Sequence, residues 1–335
     1  MDGVDSHRED VMKRFSAVVL VTSLAWTLAL PSPPWAQPKR VVTIASGAVD
    51  GVYFPIAGLM SRIASDAKDL NVRAVVASSG GAIANVQLIR AGEADFALVQ
   101  NDVAYYAFNG VALEAFVGKP VKSMAGVFTV YPELVHIVAT QASGVKSIRD
   151  LKGKRVVLGP IGSGTEQNAL QILGAHGIGE PDLRVAARLP FTTAAEQLRS
   201  GLADAAFFTT ALGAPAVADA LESGKLTLVG VARAATETLE RNYPFYTSGE
   251  IPANTYKGQE RAVAVPAVMA MLVAHARLPD DLVYRFTRAV FDNLPQLHAA
   301  HPAARSLTLQ TALVGMPLPL HPGAERFFRE KGIAR

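Results

Sequence analysis

RVVLGPIGSGTE, residues 155–166, passes from an apolar run through a glycine-rich turn into a helix start. Arg155 to Leu158 reads as a strand and Gly159 to Gly164 as a loop. Ser163-Gly164-Thr165-Glu166 has the spacing of a capping box, opening a helix that carries Leu170 and Leu173. The same order of strand, turn and helix recurs on both sides of this stretch. Upstream, Val41 to Ser46, Val72 to Ala77 and Phe96 to Val99 read as strands. The first is followed by a helix from Tyr53 to Ala67 with Ile56, Leu59, Met60 and Ile63 on one face, and Pro55 lies in its first turn. The second leads through Ser78-Ser79-Gly80-Gly81 into a helix stopped by Gly92, and Asp102 is placed to cap a third helix. Downstream, Leu183 to Ala187 reads as a strand, and Thr193 to Glu196 opens a helix closed by Gly201. Strands alternating with helices predict mostly parallel sheets covered on both faces. Leu134 to Thr140 and a strand within Val263 to Ala274 are expected to cross between two halves, and Asp280 to Ala299 to form one long helix.

An internal echo supports two similar halves. Arg90-Ala91-Gly92-Glu93-Ala94-Asp95 and Arg199-Ser200-Gly201-Leu202-Ala203-Asp204 share the pattern Arg–small–Gly–x–Ala–Asp, and each links a helix to an apolar strand. The length of 335 residues suits two domains. With half the residues hydrophobic and 18% charged, the chain is globular in composition. The formal charge of +3 comes without a basic run, which argues against nucleic acid as a partner. The absence of cysteine removes disulfides, thiolate metal sites and thiol catalysis.

Lys13 and Arg14 precede an apolar run from Phe15 to Leu30, followed by PSPPWAQ at residues 31–37. This arrangement predicts a secretory signal peptide over residues 1–36 and a periplasmic mature protein, a retained N-terminal anchor being the alternative. The run is shorter than the ~20 residues that span a bilayer.

In open α/β sheets ligands bind beyond the carboxyl ends of the strands. Two such lobes facing each other make a cleft, and the helix starts around it offer unpaired N–H groups and a partial positive charge. Ser163, Gly164 and Thr165 are the leading candidates for binding an anionic or zwitterionic ligand, capping of their own helix being the alternative for Ser163. Ser46, Gly47 and Ser79 occupy matching junctions in the first half, and Tyr53, Asn85, Gln100 and Asp102 lie in or just after them. Phe191 is a candidate for packing an apolar stem, or else ordinary core, and Arg188 for pairing with a carboxylate. No Gly-x-Ser-x-Gly, His-Glu-x-x-His, Walker-type or Gly-x-Gly-x-x-Gly motif occurs, so no enzyme, cofactor or metal is expected. His298 and His301 lack an evident third metal ligand.

Six segments carry a family resemblance: IASGAVDGVYF (44–54), SGGAIANVQ (79–87), GEADFALVQNDVAYY (92–106), LKGKRVVLGPIGSGTE (151–166), YPFYTSGEIPANTY (243–256) and PLHPGAERFFREKG (319–332). In this order the chain resembles a TAXI-type receptor of the tripartite ATP-independent periplasmic (TRAP) transporters. The resemblance implies a type II periplasmic-binding-protein (Venus-flytrap) fold, with residues 38–136 plus 262–335 as one lobe and 137–261 as the other. It also implies a TRAP membrane permease as partner and a ligand of the glutamate, glutamine or dicarboxylate class. On that likeness Ser46, Gly47, Tyr53, Ser79, Asn85, Gln100, Ser163, Gly164 and Thr165 fall on ligand-facing motifs. The first loop departs from the family pattern: Asp50 adds negative charge there, and Phe54 replaces the usual second Tyr. A receptor for an ABC importer or a sensory system is the alternative, and an enzyme on the same scaffold a third reading.

Overall fold

The computed structural model describes residues 39–333. The expected signal segment, 1–36, lies outside them. The first half contains β1 (Arg40–Ala45), α1 (Tyr53–Asp66), β2 (Val72–Ala77), α2 (Ala82–Ala91), β3 (Phe96–Gln100) and α3 (Asn101–Asn109). A 17-residue strand, β4 (Met124–Thr140), leads into the second half. There follow β5 (Arg155–Val157), α4 (Gly164–Ala175), β6 (Val185–Ala187), α5 (Phe191–Arg199), β7 (Ala205–Thr210), α6 (Pro215–Leu221), β8 (Leu226–Leu228), α7 (Arg233–Asn242) and β9 (Thr247–Ile251). The chain returns through β10 (Val263–His275) and closes with α8 (Asp280–Asp292), α9 (Leu294–Ala300) and α10 (Pro322–Glu330).

All ten strands form one sheet in the order β2-β1-β3-β10-β4-β7-β5-β6, with β8 also on β4 and β9 on β10. The outer strands are parallel, and the two long central strands are antiparallel to each other and to their neighbours. Read from each edge inward, β2-β1-β3-β10 mirrors β6-β5-β7-β4. β4 pairs with β10 from Met124 to Leu134 and with β7 from Leu134 to Ala139, so the sheet changes lobes at Leu134.

The sequence echo has an atomic counterpart. Asp95 accepts from the Thr43 N–H at 2.9 Å and donates its own N–H to Thr43, tying β3 to β1. Asp204 does the same to Arg155, at 2.8 Å, tying β7 to β5. Each aspartate also pairs with the arginine that starts the adjacent strand, Arg40 or Arg155. Gly92 and Gly201 both sit at φ +73°, where a side chain would strain the helix exit.

Several expectations need correction. The strand expected at Leu134 begins ten residues earlier, because Pro132 and Glu133 read as a break but lie within the ladder. The strand expected from Leu183 starts at Val185, since residues 180–182 take a 3-10 turn. The single helix expected over 280–299 is two, α8 and α9. Pro295 cannot donate within a continuous helix and instead occupies the first turn of α9. Asp102 lies inside the first turn of α3 rather than capping it, and Gln100 holds the N-cap position.

Candidate functional site

The lobes are held together over a cavity of about 70 Å³ at the carboxyl ends of the inner strands. Loop 47–53 and the start of α2 line it from the first lobe, and residues 160–165 with Phe191 from the second. The floor is the crossing region, with Tyr131 and Glu133 on one face of β4 and Thr209 and Thr210 at the end of β7.

Backbone-to-backbone contact closes the top. A Cβ on Gly81 would lie 3.2 Å from the Ser163 Cβ, and one on Gly80 3.0 Å from the Ile161 carbonyl oxygen. The Ile83 N–H donates across the gap to Gly162 O at 3.1 Å. Thus one first-turn amide of α2 is satisfied by the opposite lobe. At the rim, Asp50 accepts from both the N–H and the hydroxyl of Thr192, each at 3.0 Å. Thr192 lies in the first turn of α5, which has no side-chain cap of its own. Asp50 therefore caps a helix of the other lobe.

A buried polar network joins α3 to α4 behind the cavity. Asn168 donates to Asp102 at 2.8 Å and to the Tyr246 hydroxyl at 2.7 Å, and accepts from Gln100 at 3.1 Å. Gln171 donates to the Tyr106 hydroxyl at 2.9 Å. Burial pushes the Asp102 carboxyl up to about 6, against the pull of its bonds from the Val103 N–H and Asn168. Gln100 presses on α4 so closely that a Cβ on Gly164 would overlap its amide, which explains the glycine there.

Of the residues singled out in the sequence, Gly47, Tyr53, Gln100, Ser163, Gly164, Thr165 and Phe191 line the cavity. Ser46, Ser79, Asn85 and Asp102 do not. Asn85 is fully buried: its amide donates to the Ser46 and Leu98 carbonyls, and its Oδ1 accepts from Ser79 at 2.6 Å. These three residues clasp the first-lobe loops to one another, because buried backbone carbonyls require donors. Asp102 is committed to Asn168. The Ser163 hydroxyl donates to Pro160 O at 2.7 Å and accepts from the Glu166 N–H at 3.2 Å, the work of a cap. Arg188 is held by Glu166 and Glu180 and points to no cavity carboxylate. His298 and His301 are each engaged with nearby backbone, and among the described residues no group of His, Cys, Asp and Glu could hold a metal.

Glu133, Tyr131 and Thr209 were not anticipated. Glu133 is 4% exposed, and its one side-chain hydrogen bond among the described residues is accepted from the Tyr53 hydroxyl at 2.9 Å. Burial holds its carboxyl well above the usual range, partly offset by that bond. The Tyr131 hydroxyl and the Thr209 Oγ1 are buried without a hydrogen-bond partner among the described residues. An acid inside the apolar run VFTVYPELVHIV was the available signal, since a charge seldom sits unpaired in a buried strand.

A family model described as the NMT1-like family matches residues 44–332. Among solved structures, the chain is similar to PhnD1 from Prochlorococcus marinus (MIT 9301), solved in complex with methylphosphonate. The identity is 15% and the TM-score 0.52, over 80% of this chain and 91% of that one. A protein from Bordetella bronchiseptica RB50 is 17% identical with a TM-score of 0.51, over 88% and 83% of the two chains. A Xanthomonas citri protein solved with ATP is 11% identical with a TM-score of 0.51, over 87% and 94%. At such identities the likeness carries the fold, the mixed α/β, two-lobed periplasmic-binding-protein fold with a curled sheet.

Proposed function

The chain belongs to the NMT1-like family, and from that premise we propose that it is a solute-binding protein that captures one small polar molecule and delivers it to a membrane importer. The observation that carries this reading is the cavity enclosed between two lobes that touch through both backbone and side chains. Burying a compact ligand there replaces its water with convergent N–H groups, hydroxyls and carboxyls, the arrangement of a selective pocket. Within the described residues, the proposed lobes divide at residues 136/137, within the crossing strand β4, and at 261/262, just before β10. The protein acts outside the cytoplasm, and no chemical step is assigned to it.

The matched family and the structural neighbours do not support the TAXI assignment, and a TRAP permease is not carried forward as the partner. An ABC-type importer is the partner proposed in its place. The ligand is a small anionic or zwitterionic molecule, whose acceptor end meets the starts of α1 and α4. Methylphosphonate, held by PhnD1, belongs in the test set for that reason alone.

A thermal-shift screen of amino acids, small carboxylates, phosphonates and sulfonates tests the proposal. A genuine ligand raises the melting temperature with the logarithm of its concentration above Kd. Silence across the whole panel would remove the basis for a solute receptor.

A further inference from the structure

Among the described residues, the cavity is lined by two carboxyls, Asp50 and Glu133, and by no lysine, arginine or histidine. That is a poor home for a ligand that brings only negative charge. Helix starts and hydroxyls do bind anions, but here the buried ionisable group at the cavity floor is another acid, which in its charged form has the same sign. Two like charges a few ångströms apart in a water-poor site repel strongly.

The two carboxyls differ in their bonding. Asp50 sits at the rim and is committed to Thr192 in the opposite lobe. Glu133 lies at the floor, where β4 changes lobes, and has only the Tyr53 hydroxyl as side-chain partner among the described residues. Beside it the Tyr131 hydroxyl, 1% exposed, and the Thr209 hydroxyl, 5% exposed, have no partner among the described residues. A buried acceptor without a cation and two unsatisfied hydroxyls converge on one cavity. Buried polar groups are rarely left so, and a multidentate hydrogen-bond donor satisfies all three when the Glu133 carboxylate and the two hydroxyl oxygens act as acceptors.

Resting on the receptor reading above, we propose that Glu133 determines specificity: it receives a protonated nitrogen of the ligand, flanked by the Tyr131 and Thr209 hydroxyls, and excludes solutes that carry only oxyanions. The ligand class is a small ammonium compound with at most one oxyanion, which separates this cleft from a phosphonate or dicarboxylate receptor. The ionisable groups that act on Glu133 among the described residues are Tyr53 from α1, by its hydrogen bond, Tyr131 from its own strand, and Asp102 of α3, by its charge from behind the cavity. None supplies a positive charge. Burial favours the protonated carboxyl in the empty cleft, and an ammonium group restores the carboxylate and pairs with it as N⁺–H to O⁻, an ion pair that a nitrogen-free solute cannot form.

The test compares matched probes on the full-length mature protein by calorimetry: L-alanine against propionate, γ-aminobutyrate against butyrate, and the nitrogen-free methylphosphonate and succinate. The ammonium member of at least one pair is expected to bind roughly tenfold or more tighter than its nitrogen-free partner. Methylphosphonate and succinate are expected to bind more weakly than that member. In Glu133→Gln, nearly isosteric, the preference should collapse toward equality. The wild-type comparison needs no variant, so the inference remains testable even if that substitution impairs folding. Nitrogen-free acids binding as tightly as their ammonium partners, or a preference that survives in Glu133→Gln, would overturn the assignment of Glu133 and leave the receptor reading standing. Binding by none of these probes, together with silence in the wider thermal screen, would end both.

Discussion

Ser163 illustrates how a residue can border a cavity without serving it. Its hydroxyl donates to Pro160 and accepts from Glu166, so its one hydrogen is already committed and cannot be given to a solute. Ser163→Ala is therefore expected to destabilise the protein by about 1 kcal/mol through loss of the α4 cap. Ligand affinity should stay within a factor of about three, judged by denaturation and calorimetry on the same preparation. A large loss of affinity at unchanged stability would return Ser163 to the ligand. The sequence places hydroxyl and amide residues at the strand-to-helix junctions. It could not say whether each side chain faced outward to the cavity or back to its own backbone, because that depends on neighbours distant in sequence. Asn85 shows this: its partners are Ser46, Ser79 and Leu98, brought together only by the parallel pairing of β2, β1 and β3.

At the scale of elements, the crossing strand β4 couples the cavity to a buried histidine three residues from Glu133. His136 is fully buried; its Nδ1 lies 3.0 Å from Leu134 O and its Nε2 2.9 Å from the Tyr256 hydroxyl. A carbonyl partner requires Nδ1 to carry the hydrogen, so Nε2 accepts from Tyr256, whose oxygen accepts the Gly213 N–H at 3.0 Å. The neutral ring is thus built into the joint between β4 and the 252–258 loop, and burial lowers its pKa from 6.5 to about 4. A histidine whose folded pKa is depressed favours folding fully above its unfolded value and loses that advantage as pH falls toward the folded one. Between about pH 6.5 and pH 4 the loss is on the order of 3 kcal/mol. Asp102, raised to about 6, acts in the opposite direction over much of this window, so the net stability of the wild type is not the right readout. The difference between wild type and His136→Gln is: the variant should be less stable at pH 7.5, with the gap shrinking toward pH 4 in denaturant melts. A gap that does not change with pH would show that His136 is not held neutral. The helix that became α8 and α9 belongs to this scale too. A 3.6-residue apolar period runs through Val283, Phe286, Val290 and Leu294, and the period alone does not register that Pro295 forbids continuation.

For the whole molecule, closure is the property that matters. Asp50 caps α5 from the far side of the cleft, Ile83 donates to Gly162, and the α3–α4 network locks behind them. Asp50→Ala should weaken binding of the best ligand about three- to tenfold, chiefly through faster release, because a cap is worth roughly 0.5–2 kcal/mol. Small-angle scattering is expected to show a smaller radius of gyration with ligand than without it, and a smaller contraction in Asp50→Ala. Equal profiles with and without ligand would argue against hinge closure. The sequence by itself determined the local grammar. Apolar runs, glycine exits and cap residues are set by contacts within a few positions, so the α/β class, the repeated Arg–small–Gly–x–Ala–Asp junction and the location of the cleft loops were legible from it. Only the tertiary structure decided that β4 and β10 cross to make one sheet, that Asp50 belongs to the other lobe's helix, and that Glu133 lies beneath the cavity bonded to Tyr53. Those facts depend on which residues meet across 80 to 142 positions of chain, as Tyr53 meets Glu133 and Asp50 meets Thr192. Periodicity records which face of an element is buried, but not which partner it is buried against.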